Sequence, residues 1–445
     1  MQTLRIGTGA GFADDRIEPA AELAEHGALD YLVFECLAER TIALAELERM
    51  RNPLGGFNEW LPQRMDAVLK ACDTNGTKVI TNMGAANPAA AAKVAAGVAR
   101  RIGLSGLKIA AVTGDDVLEL VRGGRLPLLD QPGTVASLPG ALVSANAYLG
   151  CGPVVEALAQ GADVVVTGRI ADPSLYLAPL VHEFGWALDD WDLLGKGICA
   201  GHLLECAGQV TGGYFADPGY KDVDGLARLG FPLAEVDEDG AFTITKVPGS
   251  GGRVTVRTCV EQLLYEVHDP SAYVSADATA DYSRAELSEV GYDRVRVTGA
   301  TGRARPAALK VSVGYLDGYL GTGEISYAGP NAVARGRLAL EVVRERLALQ
   351  GASAQDIRFE LIGVDAVHRG AGARPCEPSE VRIRVAGRSG DEEGARRIGH
   401  EVSALWLNGP AGGGGATRRT ERIVAIASVL IPREHVTTDI TYIEV

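Results

Sequence analysis

The chain is predicted to be an α/β protein. An open, doubly wound, mostly parallel sheet over residues 1–210 is followed by a β-rich region with a closing helix (211–350) and a small α+β C-terminal region (351–445). Three observations carry this. Runs such as Tyr31-Leu32-Val33-Phe34 are apolar without alternation, as in strands buried on both faces. Helix-forming stretches separate these runs, the pattern of βαβ units. After Thr211, glycine, proline and aromatic residues rise and alternating runs appear.

In order, residues 4–7 form a first strand that stops in Gly7-Thr8-Gly9-Ala10-Gly11, followed by a helix over 19–26 with Gly27 as its stop. The strand at 31–34 ends at Glu35-Cys36. Helices are expected over 38–50 and 61–75, a strand over 78–81, a helix over 88–102 and a strand over 108–112, closed by Thr113-Gly114-Asp115-Asp116. A helix over 152–160 and a strand over 163–166 lead into Thr167-Gly168-Arg169. In the β-rich region, strands are expected at 242–245, 254–256, 294–297 and 310–315, and a helix over 331–349. Strands at 358–361, 380–385 and 422–430, a helix over 392–407 and a glycine loop at 409–415 complete the chain.

Hydrophobic residues make up 47% of the 445 residues, enough for a sizeable core, and the net charge is −14. No dense Lys/Arg run appears, so neither nucleic acid nor an anionic membrane is an expected partner. The seven cysteines form no CxxC pair, which argues against a disulfide framework and a zinc ribbon. The first five residues lack an apolar signal region, and no window approaches 18 uninterrupted apolar residues. A reducing cytoplasm is the expected compartment, and a homo-oligomer the expected assembly.

Ligands gather at the carboxyl ends of parallel strands, and four such ends carry polar or glycine signals. The Gly7-x-Gly9-x-Gly11 spacing is not the GxGxxG dinucleotide fingerprint. Gly9 and Gly11 are expected either to admit a ligand or to form a structural turn. Glu35 is a candidate base and Cys36 a candidate nucleophile, against the plainer role of a small buried thiol. Asn82 and Asn87 lie in the loop that opens the next helix. Asn87-Pro88 is a capping pair, and the helix start is also an anion site. Arg169 is a candidate clamp for a carboxylate or phosphate, and Asp172 binds ligand or caps the helix after it. His202 and Glu205, three apart, share a helix face as base and orienting carboxylate, as two metal ligands, or as a satisfied buried histidine and its neighbour. No complete metal signature, GxSxG elbow or Walker A loop is present, so no metal or cofactor is predicted.

At these loops the chain resembles the acyclic terpene utilisation (AtuA-like) family. The resemblance is carried by Gly9-Ala10-Gly11-Phe12, residues 30–39, 81–88, 167–186 and 201–206, Thr211-Gly212-Gly213-Tyr214-Phe215, Lys246-Val247-Pro248-Gly249 and residues 261–270, nearly the whole chain. It implies a place in the breakdown of branched terpenoid acids such as citronellic and geranic acid. Substrates there are carried as coenzyme A thioesters, alongside a biotin-dependent carboxylase. Longer members have a further C-terminal domain, which this chain is expected to lack. The family supplies no assigned catalytic residues.

The resulting expectation is an enzyme acting on a small molecule, an acyl-CoA or related branched carboxylate, by lyase, hydratase or hydrolase chemistry. Glu35 or Glu205 serves as acid/base, Arg169 and the Asn87 helix start hold an anionic group, and His202 polarises a carbonyl or moves a proton. The alternative is a non-catalytic protein that binds a metabolite or partners a carboxylase. One prediction follows from the cysteine spacing alone. Titration of the denatured, unreduced protein should find seven free thiols; fewer would reveal a disulfide.

Overall fold

The computed structural model describes residues 2–351, 354–369 and 377–445. The chain begins with strand β1 (Thr3–Ala10), helix α1 (Glu18–His26), β2 (Tyr31–Phe34), α2 (Glu39–Arg51), α3 (Leu61–Asn75), β3 (Lys78–Thr81) and α4 (Pro88–Arg101). It continues through β4 (Lys108–Thr113), α5 (Leu118–Val121), β5 (Leu142–Ala147), α6 (Gly152–Ala159), β6 (Val164–Thr167), α7 (Asp172–Phe184) and α8 (Trp191–Glu205). Then come β7 (Pro232–Asp237), β8 (Phe242–Lys246), α9 (Val256–Leu264), β9 (Tyr273–Val274), β10 (Thr279–Asp281), β11 (Glu286–Gly291), β12 (Arg294–Thr298) and β13 (Thr301–Arg303). The last elements are β14 (Ala308–Ala328), α10 (Ala332–Leu349), β15 (Gln355–Ile362), β16 (Glu380–Ser389), α11 (Glu392–Asn408), β17 (Gly414–Pro432) and β18 (Asp439–Glu444).

Two compact units result, not three consecutive regions. The first holds residues 1–137, 142–314 and 426–445, the second residues 138–141 and 315–425. The first unit is built on a ten-stranded mixed sheet of order β11-β12-β8-β7-β1-β2-β3-β6-β4-β18. Its centre, β1-β2-β3-β6-β4, is parallel throughout. The flanking strands β7, β8, β12 and β11 on one side, and β18 on the other, pair antiparallel. Much of the expected β-rich region therefore extends the first sheet, which is why a boundary at 210 does not separate a domain.

The apolar central strands divide their side chains between two cores because neighbouring residues on a strand point to opposite faces. Tyr31, Val33, Ile80, Ala110, Val112 and Val165 enter the core that also holds α7 and α8. Leu32, Phe34, Val79, Ile109, Ala111, Val164 and Val166 enter the core containing residues of α1, α3 and α4. Double-sided burial explains why these runs do not alternate. Gly76, left-handed at φ 70°, ends α3.

Several sequence expectations shift. β1 runs on to Ala10, so Gly7 and Gly9 lie within the strand and not in a turn. Val254 to Val256 are no strand: Thr255 caps α9, accepting the Thr258 N–H. The glycine stretch after Asn408 passes directly into β17.

The second unit follows β14-α10-β15-β16-α11-β17 with sheet order β15-β16-β14-β17. That is the split β-α-β arrangement of ferredoxin-like folds. An expected boundary at 350 cuts this unit because its first strand and helix precede it. No helix among the described residues is long and apolar enough to cross a membrane.

Ile80, fully buried on β3, tests the two-core arrangement. Ile80→Ala should lower unfolding free energy by about 2–5 kcal/mol, measured by denaturant titration. A loss well below that range would show the site is not close-packed.

Candidate active site

Parallel strands deliver their following loops to one edge of the sheet. The order there is residue 11 after β1, Glu35 after β2, Asn82 after β3, Arg169 after β6 and Asp115 after β4. Insertion of β6 between β3 and β4 is what brings Arg169 beside both neighbouring loops.

Asn82 is fully buried and joins two loops. Its Nδ2 donates to Glu35 Oε1 at 2.9 Å, and its Oδ1 accepts the Cys36 N–H at 2.7 Å. Glu35 Oε1 also accepts the Leu37 N–H at 2.8 Å. With Oε1 accepting two N–H groups, a proton on Glu35 resides on Oε2. Burial, with the Asp172 carboxylate adding to it, pushes the Glu35 carboxyl well above the usual range, against the pull of Arg169.

Arg169 is 1% exposed. Its Nε and Nη2 donate to the Ile170 carbonyl at 3.0 and 2.6 Å, its Nη1 donates to the Leu37 carbonyl at 2.6 Å, and Nη2 also pairs with Asp172. The guanidinium lies 4.5 Å from the Tyr148 ring centroid. Its backbone N–H donates to Asp115 at 2.9 Å. The expected ligand clamp is thus corrected: the fork is engaged by the protein itself, because a buried guanidinium must find acceptors. Asp172, the first residue of α7, makes no side-chain cap; its partner is Arg169. Burial pushes its carboxyl up to about 7; Arg169 opposes this, and the Glu205 and Glu39 carboxylates add to it. Its side chain nevertheless remains 35% accessible, so solvent or a ligand reaches it.

His202 is 1% exposed and stacks on Tyr282, with Tyr273 beside it. Its Nδ1 lies 2.8 Å from Glu205 Oε1 and its Nε2 3.2 Å from the Leu263 carbonyl. A carbonyl accepts only, so Nε2 donates to Leu263 and Nδ1 faces the Glu205 carboxyl. This corrects the expectation that His202 meets substrate: both ring nitrogens are occupied, and the ring orients Glu205. Glu205 Oε2 is buried with no hydrogen-bond partner among the described residues.

The remaining expected residues have packing or capping roles within the protein. Burial pushes the Cys36 thiol up, opposed by Arg64 at 3.0 Å from Sγ, so it is a poor nucleophile. Asn87 caps α4 through the Ala90 N–H and donates to the Pro53 and Gly55 carbonyls. A Cβ on Gly9 would stand 2.5 Å from the Phe34 ring, and one on Gly11 2.5 Å from the Cys206 carbonyl carbon. Both glycines therefore serve close packing. Cys376 lies outside the described residues; the other six cysteines are free thiols.

Sequence reasoning passed over Asp115, whose buried carboxyl is raised to about 6 and accepts Asn146 Nδ2 at 3.0 Å. Its signal was the strand-end position shared with Glu35. It also passed over Glu39, which accepts the Tyr148 hydroxyl at 2.6 Å and Lys310 Nζ at 3.1 Å. Tyr148 and Lys310 join from distant sequence. Among the described residues, no three His, Cys, Asp or Glu side chains are grouped to hold a metal ion.

Beside Cys206 lies a groove of about 670 Å3, lined by Phe12, Tyr214, Leu226, Leu229, Phe231 and Tyr265 and, on its polar side, by Asp14, Asp15 and Arg16, with Gly11 at its wall. Phe12 and Tyr214 are exposed.

Fold and site together define an α/β protein whose ionisable groups gather at the carboxyl ends of parallel strands, beside an apolar groove. The model of the acyclic terpene utilisation family, AtuA, matches residues 4–442. The chain belongs to that family, and membership points to a role in acyclic terpene utilisation. No curated protein matches it. Among solved structures it is similar to the de novo designed protein Ferredog-Diesel. They share 24% identity over 24% of this chain and 88% of that one, at a TM-score of 0.16.

Arg169→Lys keeps the charge but loses the fork. It should lower stability by about 1.5–3 kcal/mol, the scale of hydrogen bonds to a charged group. Unchanged thermal unfolding in the variant would return Arg169 to the role of ligand clamp.

Proposed function

We propose that the protein is an enzyme using general acid–base chemistry on a branched, apolar carboxylate or its coenzyme A thioester, of the lyase, hydratase or hydrolase kind. One observation carries this reading: Glu35, Asp172 and Glu205 share one neighbourhood with a single guanidinium, Arg169. Like charges held together in a desolvated place do not all ionise, so the cluster keeps a proton near neutral pH. Glu35 is the proton donor, its Oε1 fixed by Asn82 and Leu37. Asp172, ionising near pH 7 and accessible, is the proton acceptor. Glu205, oriented by His202, presents to the same neighbourhood an Oε2 without a hydrogen-bond partner among the described residues. The groove next to Cys206 suits a hydrocarbon chain along its Phe12, Leu226, Leu229 and Phe231 walls, with Asp14, Asp15 and Arg16 as its polar side.

The test is incubation of purified protein with branched acyl-CoA thioesters and free acids, following mass change. Turnover should rise with pH through about 7 as Asp172 loses its proton, because the acceptor must be ionised. Asp172→Asn should abolish that rise and reduce turnover by about 10²–10⁴-fold, while the groove still binds the acyl chain. Saturable binding with no turnover in any of these assays would instead support a metabolite-binding protein.

A further inference from the structure

The second unit differs from the rest of the chain in charge. Its sequence, residues 138–141 and 315–425, holds 15 arginines and no lysine against 14 aspartates and glutamates, while the whole chain carries −14. Solubility asks only for charge, which lysine supplies equally. Exclusive use of arginine favours a role for the planar fork that matches oxyanions.

These arginines have a place to act. Val381, Ile383 and Val385 of β16 enter the core shared with α10 and α11. The alternate residues Arg382, Arg384 and Ala386 face the other side of the sheet. That side holds a trough of about 1330 Å3. Strand register describes its floor. Ala386 stands opposite Arg358 on β15 and opposite Thr322 on β14, a row of small residues ending in an arginine. The next row, Glu360-Arg384-Glu324, is long-chained, and on the other side Arg388 stands opposite Leu320. The low row is therefore walled on both sides. With strands about 4.8 Å apart, the distance from β15 to β17 is about 14 Å, wide enough for a diphosphate and its attached sugar.

Several lining cations are already neutralised. Arg384 pairs with Glu360 at 2.6 Å, Arg388 with Asp317 and Arg419 with Glu421. Arg358, Arg369 and Arg418 also line the trough, and among the described residues their side chains make no ion pair or hydrogen bond. The lining acids outside ion pairs are Asp356 and Asp365, and Asp365 accepts the Leu361 N–H at 3.2 Å.

We infer that this trough binds a phosphate-bearing small molecule. The Arg358 fork engages its phosphate oxygens with Arg369 beside it, and the Thr322 and Thr417 hydroxyls donate from the floor and the β17 side, while Arg418 leaves β17 toward α11. Charge complementarity selects this occupant: Arg358 and Arg369, without ion-pair partners among the described residues, stand beside a floor of small side chains.

Calorimetric titration of the full chain with inorganic pyrophosphate, ADP and coenzyme A tests it. At least one probe should bind. Arg358→Gln should weaken it about tenfold, the cost of one charged hydrogen bond. Ala386→Glu, which places a carboxylate on the floor, should abolish binding, and Arg337→Gln, on exposed helix surface, should change nothing. Tighter binding of ADP or coenzyme A than of pyrophosphate identifies a nucleotide ligand; equal or weaker binding identifies the phosphates alone. The inference is overturned if no probe binds, or if Arg358→Gln binds as well as the parent. It is also overturned if the protein is a dimer that Ala386→Glu dissociates, since the trough would then hold a second copy. Should Ala386→Glu misfold, Arg358→Gln decides.

Discussion

The site depends on one buried guanidinium. Arg169 stays charged at any physiological pH, and a desolvated cation is stable only where acceptors surround it. It meets that demand with the carbonyls of Leu37 and Ile170 and the carboxylate of Asp172, while its backbone N–H is held by Asp115. Three loops, those after β2, β4 and β6, are thereby tied together at the carboxyl edge of the sheet. Without the guanidinium, Asp172 and Glu35 would face each other's charge with no counterion between them.

The same cation sets the protonation of its neighbours. Burial raises Glu35 and Asp172, each of which raises the other or is raised by further carboxylates, and Arg169 restrains both. A fully neutralised set would be inert, and a set without a cation would hold every proton. One guanidinium among three carboxyls leaves groups poised between these limits, the condition acid–base work requires. His202 contributes indirectly: enclosed by Tyr273 and Tyr282, it fixes Glu205. The apolar groove adjoins Cys206, the residue that follows Glu205 in the chain.

The two units express different uses of a sheet. In the first, the central strands are covered on both faces and present chemistry only at their ends. In the second, two helices cover one face and the opposite face keeps a polar, arginine-rich surface. A strand buried on both faces has no room for a site along its length; one with an open face does.

Local residue patterns specify the parallel core and the places where its loops act. Non-alternating runs such as Tyr31 to Phe34 signal two-sided burial; Glu35 and Asn82 follow such runs directly, and Arg169 after one glycine. Strand-end position is a local property, and local patterns are legible. Which donors remain free depends on long-range contacts. Arg169 read as an open clamp because Leu37 is 132 residues away in sequence, and His202 read as a proton shuttle because Leu263 is 61 residues away. The extent of the first sheet was hidden for the same reason: β7 and β18 join it by pairing with β1 and β4, strands far from them in sequence. Hydrogen-bond acceptors and strand partners recruited across such distances leave no periodic trace in the chain, so the fold alone assigns them.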